Sequence, residues 1–242
     1  MCGRYRLGRG KAAFVKVFGV DRQDFEWSPR YNIAPTDQAP TVRQHRTQPK
    51  RLLQKMRWGL VPYWAKELSI GARMINARSE EAPTKPAFRE SLVKRRCLVP
   101  ADGFYEWKKQ GKARQPYCFA LRNDDVFAFA GIWDRWKDPQ GQPIETFSIL
   151  TTTPNVLTAT IHDRMPVILC PDDYELWLDP GFGDLNAIQE MLKPYDANAM
   201  KSYPVSQRVN SVANDDATVS EPVDLPTEKP VPSQSEMFPS GE

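Results

Sequence analysis

The chain has 242 residues, 40% of them hydrophobic and 11% aromatic, which is enough for one large domain or two small ones with a sizeable core. Its four cysteines and two histidines form no CxxC or HxxxH pair, so the sequence argues against a zinc site and indicates no cofactor. We find no apolar run of about 18 residues and no signal-peptide pattern, so we expect a cytoplasmic protein that does not span a membrane.

The net charge of +3 is unevenly divided along the chain. Residues 211–242 contain seven acidic residues, one lysine and five prolines, a composition that predicts a disordered tail whose partner the sequence does not identify. Without this tail, the totals of 33 basic and 30 acidic residues fall to 32 and 23, a net charge of +9 for residues 1–210. A basic domain favours a polyanionic partner such as nucleic acid, although many basic domains have no such partner and charge alone does not decide between the two.

The first four residues, Met1 to Arg4, carry the sharpest chemical signal. Removal of Met1, which is common before a small residue, would leave Cys2 with a free α-amine beside its thiol. Such a 1,2-aminothiol converts an aldehyde first into a Schiff base and then into a thiazolidine ring, which hydrolyses far less readily. Arg4 and Arg6 are close enough in sequence to stabilise a thiolate. A cysteine near a terminus is by itself more often incidental, so the decision rests on the downstream motifs.

The first predicted elements are a short helix and an extended segment. The spacing of apolar residues in Lys11–Phe18 predicts an amphipathic helix. Prolines near both ends of residues 28–36 predict an ordered loop, in which Asn32 most simply forms an Asx turn. Two strands, residues 41–46 and 51–57, are predicted on either side of a turn.

The next segments carry residues that could contact a nucleic acid. Trp58 is expected in the core and Trp64 at the surface, where its ring could stack on an unpaired base. Asn76 and Arg78 lie two residues apart, so in an extended segment they share one face and could hold a sugar and a phosphate. The alternative for Arg78 is an ion pair with one of the two glutamates that follow it.

A second chemical signal follows a predicted helix or helix pair at residues 82–96. Glu106 lies between aromatic residues on a predicted strand, residues 104–107, which follows a buried strand at 97–99. A carboxyl group desolvated by aromatic side chains has a raised pKa and can exchange protons near neutral pH. The alternative is a solvent-facing glutamate paired with a neighbouring lysine.

The remaining elements complete an α+β fold, with mainly antiparallel strands in a curled, barrel-like sheet and flanking short helices. Strands are predicted at residues 117–121, 126–133, 146–153 and 203–210, and helices at residues 172–178 and 185–192. His162 precedes Asp163 and Arg164, a setting in which an imidazole can shuttle a proton, although a lone histidine is more often structural. His45, on a predicted exposed strand, is assigned no chemistry.

Seven motifs occur in the order found in one known family: Met1–Arg4, Tyr31–Pro35, Trp58–Pro62, Ile75–Arg78, Pro100–Trp107, Ile161–Pro166 and Pro204–Ser206. Together they resemble the SOS response-associated peptidase (SRAP) family of abasic-site processing proteins. The resemblance covers residues 2–210, and the acidic tail lies outside it. We therefore expect an SRAP domain at residues 1–210 and a tail at 211–242.

The resemblance implies a protein that binds an abasic site in single-stranded DNA and links Cys2 to the C1′ aldehyde as a thiazolidine, which shields the lesion. We expect a monomer, although the sequence does not fix the oligomeric state. The resemblance also implies that Asn76 orients the sugar and the cysteine and that Glu106 manages protons during imine formation. His162 would assist opening of the sugar ring and resolution of the link. Contacts to DNA are implied for six further residues: Arg4, Arg78 and Arg164 at phosphates, and Asn32, Trp64 and Thr151 as pocket or stacking residues. A weak lyase activity and removal of Met1, by the protein or by a host aminopeptidase, are also implied.

Two other classes of function stay open at this point. A cysteine peptidase acting on other proteins would use Cys2, His162 and Glu106 as nucleophile, base and orienting group. A non-catalytic binder of single-stranded DNA would use the arginines and tryptophans and would not need a free terminal cysteine.

Overall fold

The computed structural model describes residues 2–23, 25–26, 28–45, 48, 50–111 and 113–225. The strands are β1 (Tyr5–Leu7), β2 (Arg22–Gln23), β3 (Arg30–Ile33), β4 (Gln38–Gln44), β5 (Arg51–Trp58), β6 (Asn76–Arg78), β7 (Arg96–Ala101), β8 (Gly103–Gln110), β9 (Ala113–Leu121), β10 (Phe127–Lys137), β11 (Pro143–Thr152), β12 (Met165–Pro166) and β13 (Met200–Pro204). The α-helices are α1 (Lys11–Phe18), α2 (Arg89–Lys94), α3 (Tyr174–Leu178) and α4 (Leu185–Met191). None of the described helices is both long and apolar enough to cross a bilayer.

Five strands close into a barrel. Antiparallel pairing joins β11 to β10, β10 to β7, β7 to β4 and β4 to β5. The ring closes where β5 returns to β11 in parallel, with Phe147 opposite Trp58. Closure leaves these strands without a free edge and fills the interior with side chains. β6 and β12 both pair with the later part of β11, and this is the end of the barrel that carries the candidate site.

A second sheet packs beside the barrel. It is antiparallel throughout, in the order β13, β9, β8, β1, β3. Phe104 and Phe119 stack at 5.0 Å on one face, and Phe104 meets Phe129 of the barrel edge to face at 5.9 Å. Tyr5 of β1 packs between Phe129 and Trp58, with ring centroids at 5.8 and 5.1 Å. The expected α+β fold with a mainly antiparallel, barrel-like sheet is confirmed.

A glycine after β5 lets the chain leave the barrel. Gly59 has a φ of +118°, and a Cβ there would lie 2.5 Å from the carbonyl oxygen of Gly71. A larger residue would therefore be both strained and in collision with backbone. Trp58 just before it is fully buried and donates its indole N–H to the Ile75 carbonyl at 2.9 Å, whereas Trp64 is 51% exposed. The expected division between a core Trp58 and a surface Trp64 is confirmed.

Several expected elements differ in extent from the observed ones. The expected loop at residues 28–36 contains strand β3, because its backbone pairs with β1 and the prolines lie just outside the paired residues. The expected helix at 82–96 shrinks to α2, since Pro83 and Pro86 disfavour helix through its first half. The closing strand expected at 203–210 is β13, which starts earlier and gives way to a 3-10 turn at Gln207–Asn210.

The expected disorder of the tail is wrong for residues 211–225, which pack on the second sheet. Asp215 accepts hydrogen bonds from backbone N–H groups of β3, including that of Asn32 at 2.7 Å, and pairs with the arginine of that strand. Val219 is fully buried. Composition predicted disorder because the segment is polar overall, yet one buried valine and one carboxylate with several donors hold it. Residues 226–242 lie outside the described residues.

Candidate active site

The site is built around Cys2, which lies just before β1 and is fully buried. The short strand β6 pairs with β11 and carries Asn76 opposite Ile149, from where the Asn76 amide Nδ2 donates to the Cys2 carbonyl oxygen at 2.7 Å. The other end of this amide, Oδ1, is buried and accepts no hydrogen bond from the described residues. Asn76 therefore fixes the backbone of Cys2 and keeps one acceptor available beside it.

The thiol of Cys2 is held in its neutral form. Burial raises its pKa above the usual range, and the nearby negative charge of Glu106 raises it further. The guanidinium of Arg4 does not face the thiol, because it donates to the Asn32 side chain and to the Val209 carbonyl, each at 2.8 Å. Arg6 forms an ion pair at 3.1 Å with Asp102, the residue between β7 and β8. The expectation that Arg4 and Arg6 stabilise a thiolate is therefore wrong.

Glu106 lies on β8 opposite Tyr117 and is only 3% exposed. Burial raises the pKa of its carboxyl group from 4.5 to about 7, and the negative charge of Asp163 acts in the same direction. The group is thus balanced between its protonated and ionised forms at neutral pH. This confirms the expectation drawn from its aromatic neighbours and excludes the alternative of a solvent-facing glutamate.

His162 lies at the rim of the site, with 28% of its side chain exposed. Burial lowers the pKa of the imidazole, so the neutral ring dominates at pH 7. Its Nδ1 lies 3.0 Å from the backbone N–H of Arg164 and 2.9 Å from the carboxylate of Asp163. One nitrogen cannot accept the first contact and donate to the second at the same time. A neutral ring with its proton on Nε2 accepts from Arg164, and a ring with a proton on Nδ1 donates to Asp163 instead.

Two of the three arginines expected to contact phosphates, Arg78 and Arg164, differ in their surroundings. Arg78, at the end of β6, has 53% of its side chain exposed and pairs with Glu81 at 3.2 Å, in line with the alternative that it joins a neighbouring glutamate. Asn76 and Arg78 do share a face, with buried Ala77 between them on the other. Arg164 is only 8% exposed, and its guanidinium contacts both carboxylate oxygens of Glu80.

A family model described as SOS response associated peptidase (SRAP) matches residues 1–212 of the chain. The chain belongs to the SRAP family. Abasic site processing protein YoqW of Bacillus subtilis strain 168 is 43% identical over 217 residues, which cover 88% of this chain and 96% of that protein. Abasic site processing protein HMCES of Gallus gallus is 33% identical over 272 residues, which cover 96% of this chain and 80% of that protein. The family expected from the seven motifs is confirmed.

Solved structures show the same fold. A crystal structure of a protein from Bacteroides thetaiotaomicron matches with a TM-score of 0.79 at 30% identity and covers 92% of this chain and 100% of its own. A protein from Bordetella bronchiseptica matches with a TM-score of 0.75 at 25% identity, covering 85% of this chain and 100% of its own. The SRAP match ends at residue 212, so the ordered residues 213–225 extend beyond it.

The other expected contact residues lie in different parts of the SRAP fold. Asn32 is fully buried, and its Nδ2 contacts three backbone carbonyls of the C-terminal segment, at 2.7 to 3.2 Å. It forms no Asx turn, so that expectation is wrong. Thr151 is fully buried on β11 and receives the Arg164 guanidinium. Trp64 lies on an exposed loop that Asp134 of β10 holds through the neighbouring backbone N–H at 3.1 Å. Whether these residues touch DNA stays a prediction.

Sequence reasoning gave no specific role to Glu80 and did not single out Trp107. Glu80 follows β6 and pairs with an arginine 84 residues further along the chain, a contact that spacing cannot indicate. Trp107 follows Glu106 and donates its indole N–H to the Asn210 side chain at 2.7 Å. Its position next to Glu106 was the only available signal. Among the described residues, no group of three or more His, Cys, Asp or Glu side chains could hold a metal ion.

Proposed function

We propose that this protein processes abasic sites in single-stranded DNA by linking Cys2, made N-terminal by loss of Met1, to C1′ of the ring-opened deoxyribose as a thiazolidine. The observation that carries the proposal is the placement of Cys2 beside a buried carboxyl group, Glu106, whose pKa is raised to about 7. The names of the relatives, all abasic site processing proteins, support the same substrate.

The proposed reaction balances without an oxidant or a reductant. The α-amine of Cys2 adds to the C1′ aldehyde to give a carbinolamine, which loses one water to become an imine. The Cys2 sulfur then adds to the imine carbon, and the thiol proton ends on the ring nitrogen. One C–N and one C–S bond have formed, and one water has left.

Glu106 suits each proton transfer in this sequence. In its ionised form it accepts a proton from the amine or the thiol, and in its protonated form it donates one to the departing hydroxyl. The thiol needs such a base, because burial has raised its pKa rather than lowered it. The amine can therefore react first and the thiol second, which is the order that the thiazolidine requires. Burial of Cys2 also keeps water from the product.

His162 and Asn76 act on the sugar in this proposal. An abasic deoxyribose is mostly a closed hemiacetal, and it opens when a proton moves from the C1′ hydroxyl to the ring oxygen. His162, neutral and with a proton on Nε2, can exchange protons at that step and in the reverse reaction. The free acceptor of Asn76, Oδ1, is available to a hydroxyl or amine donor next to Cys2. An imine that fails to close also acidifies the C2′ proton, which accounts for a weak lyase activity.

The DNA backbone is proposed to follow the basic surface around this site. Arg78 is the best suited of the arginines, because its exposed ion pair with Glu81 is weak and can be exchanged for a phosphate. Arg4, half-buried beside Cys2, is a further proposed contact, with Trp64 as a stacking platform. Arg164, which the sequence also offered for this role, is less suited, because Glu80 already holds its guanidinium. Residues 1–210 carry a net charge of +9, and the ordered residues 211–225 add four acids and no base, which leaves a net charge of +5 that still favours such binding.

A cysteine peptidase acting on other proteins is less well supported. Such an enzyme needs a thiolate stabilised by an imidazolium, which requires a lowered thiol pKa and a raised histidine pKa. Here burial shifts both groups the opposite way. A purely non-catalytic binder leaves the buried Glu106 beside Cys2 without a role.

The proposal is tested by intact mass spectrometry on protein mixed with a single-stranded oligonucleotide carrying one abasic site, followed by a denaturing gel after heating. Intact mass of the protein alone first establishes that Met1 is absent. We expect a stoichiometric, heat-resistant adduct whose mass equals the sum of the masses of the protein and the oligonucleotide minus one water. The adduct should be absent with Cys2→Ser, which should still bind the oligonucleotide, and absent with a borohydride-reduced abasic site. No adduct from protein lacking Met1 would refute the proposal.

A further inference from the structure

The side chain of Arg164 is already occupied in the free protein. Its Nη2 donates to the Thr151 carbonyl at 2.6 Å and to the Thr151 hydroxyl at 3.3 Å, and both terminal nitrogens contact the Glu80 carboxylate. In this two-point pair the Arg164 side chain is 10% exposed and the Glu80 side chain is 52% exposed. A bidentate arginine–carboxylate pair is stronger and more directional than a single hydrogen bond. Replacing it with a DNA phosphate would leave Glu80 as an uncompensated anion next to that phosphate.

Glu80 is itself fixed by the turn after β6. Ser79 donates its hydroxyl to Glu80 at 3.2 Å and its backbone N–H to the Thr151 carbonyl at 2.9 Å. Gln189 of α4 donates to the Ser79 carbonyl at 3.0 Å. The Arg164 hydrogen bond lowers the pKa of the Glu80 carboxyl group, so this group stays ionised. The turn thus presents a fixed carboxylate to a single guanidinium.

The backbone of the same arginine touches His162. The Arg164 N–H donates to His162 Nδ1 at 3.0 Å, only two residues back along the loop. After Arg164 the chain enters β12, whose pairing with β11 fixes the following residues. The contacts of the Arg164 side chain therefore help to fix the position of the Arg164 backbone and the direction of its N–H.

We propose that Glu80 is a positioning residue for His162: by clamping the Arg164 guanidinium, it keeps the Arg164 backbone N–H on Nδ1 and so holds the His162 proton on Nε2, toward the substrate. Without the clamp, the Asp163 carboxylate, 2.9 Å from the same nitrogen, would draw the proton to Nδ1. The role of that proton rests on the function proposed above, but the clamp itself does not. Outer partners that fix a histidine tautomer are a general device of histidine chemistry. Arg164 then acts on the reaction mainly through its backbone.

The adjacent glutamate provides a matched control. Glu81 lies one residue further on the same turn, carries the same charge and pairs with Arg78 instead of Arg164. Glu80→Gln and Glu81→Gln therefore change the net charge equally and differ in which arginine they release. Arg164→Lys is the complementary variant, because it keeps a positive charge for a phosphate but loses the fork that grips Glu80.

The first experiment measures the two ring nitrogens of His162 by ¹⁵N NMR at about pH 8, where an imidazole is neutral. The chain has only one other histidine, His45, which is assigned with a His45→Gln variant and serves as an internal reference. In the wild type we expect Nδ1 as the unprotonated nitrogen. Glu80→Gln and Arg164→Lys should both move the two resonances toward each other, and Glu81→Gln should leave them unchanged. Unchanged resonances in Glu80→Gln, or equal shifts in Glu81→Gln, would overturn the proposal.

The second experiment measures adduct formation at saturating abasic-site oligonucleotide. We expect Glu80→Gln to slow the covalent step at least about tenfold, since a positioned acid–base group is worth about 10²- to 10⁴-fold, while its Kd stays within about twofold. A change in Kd alone would assign Glu80 to DNA binding and overturn the positioning role. If the wild type forms no adduct, the proposed function fails, and the NMR resonances still decide the role of Glu80. Should Glu80→Gln not fold by circular dichroism, Arg164→Lys decides by the same readouts.

Discussion

Replacing Glu106 with glutamine is expected to stabilise the fold at pH 8 while disabling the site. The carboxyl group is 3% exposed, and burial raises its pKa from 4.5 to about 7. The folded protein therefore holds the Glu106 proton more tightly than the unfolded chain does. It follows that stability is lost as the pH rises from about 4.5 to about 7, and that the full penalty is present above pH 7. Glutamine is neutral at every pH and avoids that penalty.

The size of the effect follows from the same shift. At about 1.4 kcal/mol per pKa unit, the difference between 4.5 and about 7 corresponds to about 3 kcal/mol. For a chain of this length, that free energy corresponds to an increase in Tm of about 6 to 12 °C. Few single substitutions stabilise a protein by so much, because most destabilise it. The gain would come from removing a charge that the folded state holds at a cost for the sake of its chemistry.

Urea denaturation at pH 5 and pH 8 measures this effect for wild type and Glu106→Gln. At each pH, the free energy of unfolding of the wild type is subtracted from that of Glu106→Gln, and the two differences are compared. Any pH-independent effect of replacing a carboxyl group with an amide is the same at both pH values and cancels. We expect an increase of about 2 to 3 kcal/mol. The surface substitution Glu81→Gln, at a side chain 41% exposed, is the control for the loss of one carboxylate charge. An advantage for Glu106→Gln that does not grow with pH would refute the reasoning, as would adduct formation at the wild-type rate.

Three further outcomes follow from the contacts described. Asn32→Ala should lower the free energy of unfolding by about 3 kcal/mol or more in urea denaturation, because it leaves buried carbonyls of the C-terminal segment and the Arg4 guanidinium without their partner. A chain ending at residue 212 should have a lower Tm than one ending at 225, since only the longer one keeps Asp215 on β3 and the buried Val219; equal Tm values would contradict that role. Arg78→Ala should weaken binding to single-stranded DNA and reduce the slope of log K against log salt by about 0.7, and an unaltered slope would remove Arg78 from the phosphate contacts.

The chemistry of this site was accessible from the sequence where its cause is local. Glu106 lies on a strand rich in aromatic residues, a pattern that predicts burial, and burial raises the pKa of its carboxyl group. Trp58 and Trp64 could be separated by the same kind of local reasoning. The thiol of Cys2 was different: neighbouring arginines predicted a stabilised thiolate, but Arg4 turns to partners more than twenty residues away. A lowered thiol pKa depends on the direction of side chains, which spacing does not reveal.

Contacts between distant residues account for most of what the sequence could not show. The barrel closes through a parallel pairing between β5 and β11, and no local pattern indicates that partner. The clamp of Glu80 on Arg164 spans 84 residues, and the contact of Asn32 with Asn214 spans 182. The polar C-terminal segment was predicted to be disordered for the same reason, because its partners lie far away in the sequence, on β3 and at the end of β13. Local propensity predicts elements, whereas tertiary pairing decides their limits.

The shifts in the site have a common cause that favours one kind of reaction. Burial keeps the Cys2 thiol and the His162 ring uncharged at pH 7, and it raises the pKa of the Glu106 carboxyl group to about 7. An acyl-transfer enzyme must stabilise an oxyanion, yet the amide N–H of Asn76 is already given to the Cys2 carbonyl. Condensation of an amine and a thiol with an aldehyde begins and ends with neutral species and asks only for proton transfers. A desolvated site with one carboxyl group titrating near pH 7 is therefore better matched to trapping an aldehyde than to cleaving a peptide bond.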